Sequence, residues 1–255
     1  MTHARRSTVI RVAALAVALG TVLAGLGWST AEALTSSGPA YKLTDPFARE
    51  IVRPGADDKD AYHIQHVYEV QYRLRWLGLF KATPNGHFGP ITKSAVLAFQ
   101  AKNGLRKTGT VNYRTWQPLI KQTIRGKKFI PKACHNSGWH VCYDRYRHQL
   151  TLFHDGVTYN SWLVRGGTKT SPTRTGTFRV YYRDIDHRSS EFDNSPMPYS
   201  QFFSGGEALH GSRFMINPFV DHSHGCVNMY VEDARVLWQL TSKHRLMVHV
   251  YGRWS

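Results

Sequence analysis

Residues 209–230 read LHGSRFMINPFVDHSHGCVNMY, and the rest of the chain is arranged around them. The stretch holds one cysteine, Cys226, and three histidines that can approach it: His210, His222 and His224. A thiol is a weak nucleophile until it loses its proton, and a nearby imidazole is the usual means of removing it. Gly225 stands directly before Cys226 and leaves room for the backbone to approach a substrate carbonyl. A nucleophile, a base and backbone donors thus lie within a short span. A buried cysteine with hydrogen-bonded histidines is the plainer alternative. His222, His224 and Cys226 also alternate, so on a strand they would share a face, and N/S ligands suit zinc.

Three words of sequence favour the nucleophile. The order HG at 210–211, then SHGC at 223–226 followed by VNM, resembles the L,D-transpeptidase family of cell-wall enzymes. GGEALHG at 205–211 resembles that family's approach to its first histidine, and TSPTRTGTF at 170–178 resembles a strand entry of the same family. The latter two words have no role in a zinc site, so no metal and no cofactor are expected. The resemblance implies a β-sandwich-like catalytic fold with Cys226 as nucleophile and His210 as base. It implies that His224 and Gly225 shape an oxyanion pocket, with the Cys226 N–H among its donors. Asn228 is expected at a substrate carboxylate or amide, with Gly211 and Ser223 beside it. Gly211 or a neighbour offers a carbonyl to fix the His210 tautomer, and Ser223 supports the turn. His222 has no counterpart and is expected to be exposed and inert, and Arg213 is a surface residue or a contact for an acidic stem group. The reaction implied is transfer of a tetrapeptide stem through a Cys thioester to an amine, giving a 3→3 cross-link. Transfer to water, an L,D-carboxypeptidase, begins with the same thioester. The resemblance also implies acylation of the thiol by carbapenems. A wall-binding module with a decayed catalytic unit is disfavoured by the intact His210, His224, Gly225 and Cys226 set.

Composition sets the surroundings. The formal net charge is +16 over 255 residues, so the chain needs anionic company. Arg5, Arg6 and Arg11 precede an apolar run at 12–28, and Ala31-Glu32-Ala33 has small-x-small cleavage spacing. This is the layout of a secretory signal peptide, 1–33, cut before Leu34. An uncleaved membrane anchor is the alternative. Export argues against nucleic acid and for peptidoglycan stems and wall polymer as partners of a monomeric protein. The three cysteines divide as two plus one. Cys134 and Cys142 are expected to pair, closing a short ring worth about 2–3 kcal/mol in loop entropy. Cys226 is left as a free thiol.

Between these parts the chain changes period. Residues 34–61 show no sustained period and read as a linker. At 62–122, Val67, Val70, Leu74 and Leu77 recur at helical spacing, and Gly89-Pro90 opens a second helix with Ala95, Val96 and Phe99 inside. Asn112 caps a third helix holding Trp116 and Leu119. The words GHFGPIT at 86–92 and AVLAFQ at 95–100, with Gly104-Leu105 and Thr115-Trp116, resemble the three-helix peptidoglycan-binding domain. The segment departs from that pattern at Asn85-Gly86-His87, so no ligand contact is carried over. A basic connector, 123–132, carries Arg125, Lys127, Lys128 and Lys132. From 133 to 255 the period falls to two. Strands are expected around 150–154, 157–164, 176–182, 214–216 and 246–251, with an Asp155-Gly156 hairpin and a helix at 231–240. The fold class expected is α+β, mostly β in the catalytic part.

Overall fold

The computed structural model describes residues 42–254; the expected signal segment lies outside them. Among the described residues no helix is long and apolar enough to cross a membrane. Three helices come first: α1 (Val67–Trp76), α2 (Pro90–Lys102) and α3 (Tyr113–Gln122). Pro90 occupies the first turn of α2, where its missing N–H costs no hydrogen bond. Asn112 caps α3 by accepting from Thr115 N at 3.2 Å. Their apolar faces meet around Val70, Leu74, Val96, Phe99, Trp116 and Leu119.

The segment read as a linker is, from Phe47 onward, part of this body. Phe47, Val52 and Ala56 join the helical core, and Trp116 Nε1 donates to Glu50 O at 2.8 Å. Arg49 is buried and donates to Glu69, to Asn160 Oδ1 at 2.9 Å and to Ser161 O at 2.9 Å. Single buried residues at irregular intervals carry no period, so the sequence pattern is silent there. The connector is likewise less solvated than its charge suggests. Arg125 N–H donates to Gln149 Oε1, and its guanidinium lies 4.0 Å from the Trp76 ring centroid.

The second body has two mixed sheets over one core. The first, in order β3-β2-β1-β9-β4, is built from β1 (Trp139–Asp144), β2 (Gln149–His154), β3 (Val157–Leu163), β4 (Gly176–Arg179) and β9 (Leu246–Tyr251). The second, β5-β6-β7-β8, holds β5 (Tyr182–Arg188), β6 (Pro196–Ser204), β7 (Glu207–Gly211) and β8 (Val227–Met229). Helix α4 (Val231–Thr241) packs on β6 and β7. Asp155 and Gly156 both take positive φ in the β2–β3 hairpin. The shared core joins Val141, Leu152 and Val248 of one sheet to Leu209 and Val227 of the other, with Leu237 of α4. The Cys134–Cys142 disulfide is formed and buried beside Phe153.

Two strand expectations are corrected. The strand at 176–182 is broken after Arg179, because β4 pairs with β9 while β5 turns into the other sheet to pair with β6. Residues 214–216 form no strand. Ser212 takes their amides into a turn, accepting from Phe214 N through Oγ and from Met215 N through its carbonyl.

The two bodies are joined through a buried ionic cluster. Arg49 and Arg73 both pair with Glu69, and Arg73 also donates to Ser161 O at 2.8 Å. His66 is completely buried between Glu50 at 2.5 Å and Asp233 of α4 at 3.1 Å. His66, Glu69 and Asp233 have the composition of a metal site. The guanidinium groups of Arg49 and Arg73 already neutralise the carboxylates, so the cluster reads as an ion-pair clamp.

Candidate active site

Cys226 sits at the end of a tight turn that leads into β8. Ser223 holds that turn closed: its Oγ donates to Cys226 O at 2.6 Å and accepts from Gly225 N at 3.0 Å. Backbone bonds from Ser223 N to Gly166 O and from Thr168 N to Ser223 O tie the turn to the strand-like segment after β3. Gly225 takes φ of +131°, a region that side chains avoid, and a Cβ there would lie 3.2 Å from Glu207 Oε1. The turn and Glu207 thus favour glycine here independently of any substrate.

His210 lies on β7, next to β8, in parallel register with Asn228. Its Nδ1 is 2.8 Å from Gly211 O. A carbonyl oxygen only accepts, so Nδ1 carries the hydrogen and Nε2 of the neutral ring keeps its lone pair. Burial pushes His210 down to about 4; the Gly211 carbonyl opposes the shift and His187 adds to it. Burial also pushes the Cys226 thiol up to about 11, with Glu207 and Glu191 adding to the shift and the Ala208 backbone opposing it. Both shifts favour the uncharged forms, a thiol and an imidazole whose Nε2 can accept a proton.

Both side chains line one cavity of about 780 Å³. His224, Ser223 and Asn228 line it as well. The His224 ring is exposed and stacks on Phe192, with centroids 4.5 Å apart, so it forms part of the cavity rim. The Oδ1 of Asn228 is buried with no hydrogen-bond partner among the described residues, and so remains an acceptor for a bound N–H. Ser223, expected beside substrate, has its hydroxyl committed to the turn. Gly211 turns its carbonyl to His210, as expected for the tautomer, but does not line the cavity beside a substrate; a Cβ there would lie 2.9 Å from Val231 Cα.

His222 departs from its expectation. It is half-buried at the cavity wall, its ring between His148 at 5.7 Å and Trp254 at 5.5 Å. Residues 221–226 form a turn, so the alternation behind the zinc alternative does not exist: His222 faces Trp254 while His224 faces Phe192. Arg213 is exposed and does not itself line the cavity, but it lies 4.6 Å over the ring of Phe214, which does.

Several lining residues carried no role in the sequence reading. Glu207 is buried, accepts from Arg174 N at 3.1 Å and has its carboxyl pushed up by burial. Glu207 and Arg174 both lie inside the quoted words at 205–211 and 170–178, which is the signal that marks them. Arg165 and Phe192 lie outside any word, and only the folded chain brings them to the cavity.

Residues 138–250 match the family described as L,D-transpeptidase catalytic domain, and residues 65–119 match a peptidoglycan binding domain. A spore cortex-lytic enzyme of Bacillus cereus is 30% identical over 129 residues, which make up 51% of this chain and 43% of that protein. The match thus takes in less than half the length of this curated relative. The crystal structure of an L,D-transpeptidase from Stackebrandtia nassauensis has the same fold, with TM-score 0.51 and 23% identity over 80% of this chain and 98% of that one. An L,D-transpeptidase fragment from Xylanimonas cellulosilytica is 27% identical over 80% of this chain and 98% of its own, with TM-score 0.45. The β body is thus matched, over residues 138–250, by the L,D-transpeptidase catalytic domain family, and the helical body ahead of it, over residues 65–119, by the peptidoglycan-binding family.

Proposed function

We propose that this protein is an exported cell-wall L,D-transpeptidase acting through Cys226 and His210. The observation that carries the reading is the neutral imidazole, its Nδ1–H tied to Gly211 O, sharing one cavity with the chain's one free thiol among the described residues. Cys226 Sγ attacks the carbonyl between the third-position diamino acid and D-alanine of a tetrapeptide stem. His210 Nε2 takes the thiol proton in the same step. The resulting oxyanion is held by backbone donors of the Cys226 turn. Gly225 N is already used by Ser223 Oγ, so the Cys226 N–H is the donor we assign. Collapse expels D-alanine, whose nitrogen receives the proton from Nε2 and leaves a thioester. An acceptor amine then attacks the thioester and gives its proton to Nε2, and the sulfur leaves and recovers it. Asn228 Oδ1 receives a substrate N–H. The buried disulfide and the peptidoglycan-binding domain both support a location outside the cytoplasm.

The test is incubation with purified tetrapeptide stems and identification of products by mass. Cross-linked dimers with release of D-alanine are expected. Tripeptide alone would assign an L,D-carboxypeptidase, and unchanged stems would remove the reading.

A further inference from the structure

We infer that the helical domain positions one wall of the catalytic cavity, through Tyr72 and Trp76 of α1 acting on Phe219. The wall is the connection at 212–222 between β7 and β8. It has no helix or strand of its own. Ser212, Phe214, Asp221 and His222 from this connection line the cavity.

Its internal backbone bonds are local turns: Met215 N to Ser212 O and Val220 N to Asn217 O. What fixes it in space comes from outside, and much of that from the helical domain. Tyr72 Oη donates to Asn217 Oδ1 at 3.1 Å, and that same oxygen accepts from Phe219 N at 3.0 Å. The Phe219 ring centroid lies 4.4 Å from Tyr72 and 6.1 Å, edge-on, from Trp76. Arg125 joins this aromatic group, 4.0 Å from Trp76 and 6.0 Å from Phe219. Just ahead of α1, aliphatic packing adds a second hold: buried Ile64 joins Met215 and Tyr230, with Ile216 against them.

The path continues to the site. Phe219 meets His148 at 5.6 Å, His148 meets His222 at 5.7 Å, and His222 lines the cavity. The catalytic body holds the segment too: Arg165 donates to Val220 O at 2.5 Å, Tyr230 Oη to Ile216 O at 2.9 Å and Ser212 N to Met229 O at 3.0 Å. A wall held by two bodies loosens when one of its holds is removed. Tyr72, Trp76 and Phe219 touch neither the thiol nor the imidazole, so they are positioning residues. A tether that only concentrates the enzyme on its polymer would need none of these contacts.

This inference rests on the cavity being the catalytic one, and its test separates the two claims. The full chain and its Tyr72→Ala, Phe219→Ala and Tyr72→Phe variants are compared by amide hydrogen exchange over 212–222 and by turnover of a soluble tetrapeptide stem, which needs no wall tethering. Tyr72→Ala and Phe219→Ala are expected to speed exchange in 212–222 and to raise KM by between about threefold and thirtyfold, the usual span for a mutation that acts through packing. Alkylation of Cys226 by iodoacetamide stays at the wild-type rate. Tyr72→Phe keeps the ring, loses the bond to Asn217 and falls between. The double variant is little worse than either single one, because both remove the same contact. Unchanged exchange at 212–222 in both alanine variants overturns the inference, whatever the activity. Should Tyr72→Ala fail to fold, Tyr72→Phe and Phe219→Leu give the same reading. If the wild type turns over no stem, the proposed function fails and the exchange data still decide whether α1 holds the wall.

Discussion

Two buried histidines in this molecule are pushed in opposite directions, one towards the charged form and one towards the neutral form. His66, at the junction of the two bodies, and His210, in the cavity, are both buried. Burial alone pulls an imidazole down, since it disfavours the cation. At His66 that pull is outweighed by Glu50 at 2.5 Å and Asp233 at 3.1 Å, which hold it well above its usual value. At His210 burial meets only the Gly211 carbonyl, and the ring falls to about 4. The difference lies in the carboxylates. A charged, doubly paired histidine is a clamp, whereas a neutral one with a single carbonyl partner keeps a lone pair for chemistry.

The comparison is broken most forcefully by exchanging the two losses. His210→Ala should slow stem turnover by roughly 10²–10⁴-fold, the usual worth of a positioned acid–base group, with the melting temperature little lowered. His66→Ala should do the reverse. It strips the partner from two carboxylates at the junction, and removal of one member of a buried pair costs about 3–5 kcal/mol. Kinetics and thermal unfolding of both variants check this, and a turnover defect of equal size in both would erase the distinction.

The pH dependence sharpens it, because the two groups act in opposite windows. His66 has a folded value above the unfolded one near 6.5, so its stabilisation is complete below that pH and is lost as pH rises through the folded value. His210 has a folded value below the unfolded one, so its contribution is present above about 6.5 and is lost as pH falls towards about 4. Denaturant unfolding across pH should therefore lose its alkaline slope in His66→Ala and part of its acid slope in His210→Ala. The opposite assignment of slopes would contradict a charged His66 and a neutral His210. The smallest effect is expected from Glu50→Gln. Glu50 is partly open to water, where an ion pair is worth about 0–1 kcal/mol, so the variant should lower stability far less than Asp233→Asn.

The two regions also differ in how far the sequence discloses them. The cavity was legible because its residues stand in short words: His210 and Gly211 together, Ser223 through Cys226 together, Glu207 and Arg174 inside their neighbours. The three helices were legible because their burial follows a local period. The clamp was not, because Arg49, Glu50, His66, Glu69 and Asp233 come from segments that meet only in the fold. Arg49 stands in a stretch without period, and a charged residue in such a stretch reads as solvated linker. The wall at 212–222 escaped for a related reason. Phe214, Met215 and Ile216 have the apolar composition of a strand, but Ser212 captures their amides locally, and Met215 is buried against Ile64 of the other body. Local chemistry is written locally; contacts between the bodies are not.

The central claim is that Cys226 is the nucleophile and His210 the base that deprotonates it. A carbapenem leaves a stable adduct on the attacked side chain, so intact mass followed by peptide mapping reads the claim directly. At neutral pH the wild type should gain a single adduct on the Cys226 peptide, Cys226→Ala none, and His210→Ala the same adduct roughly 10²–10⁴-fold more slowly. An adduct formed at the wild-type rate in His210→Ala would show that another group takes the proton, and an adduct on a serine would contradict the cysteine mechanism itself.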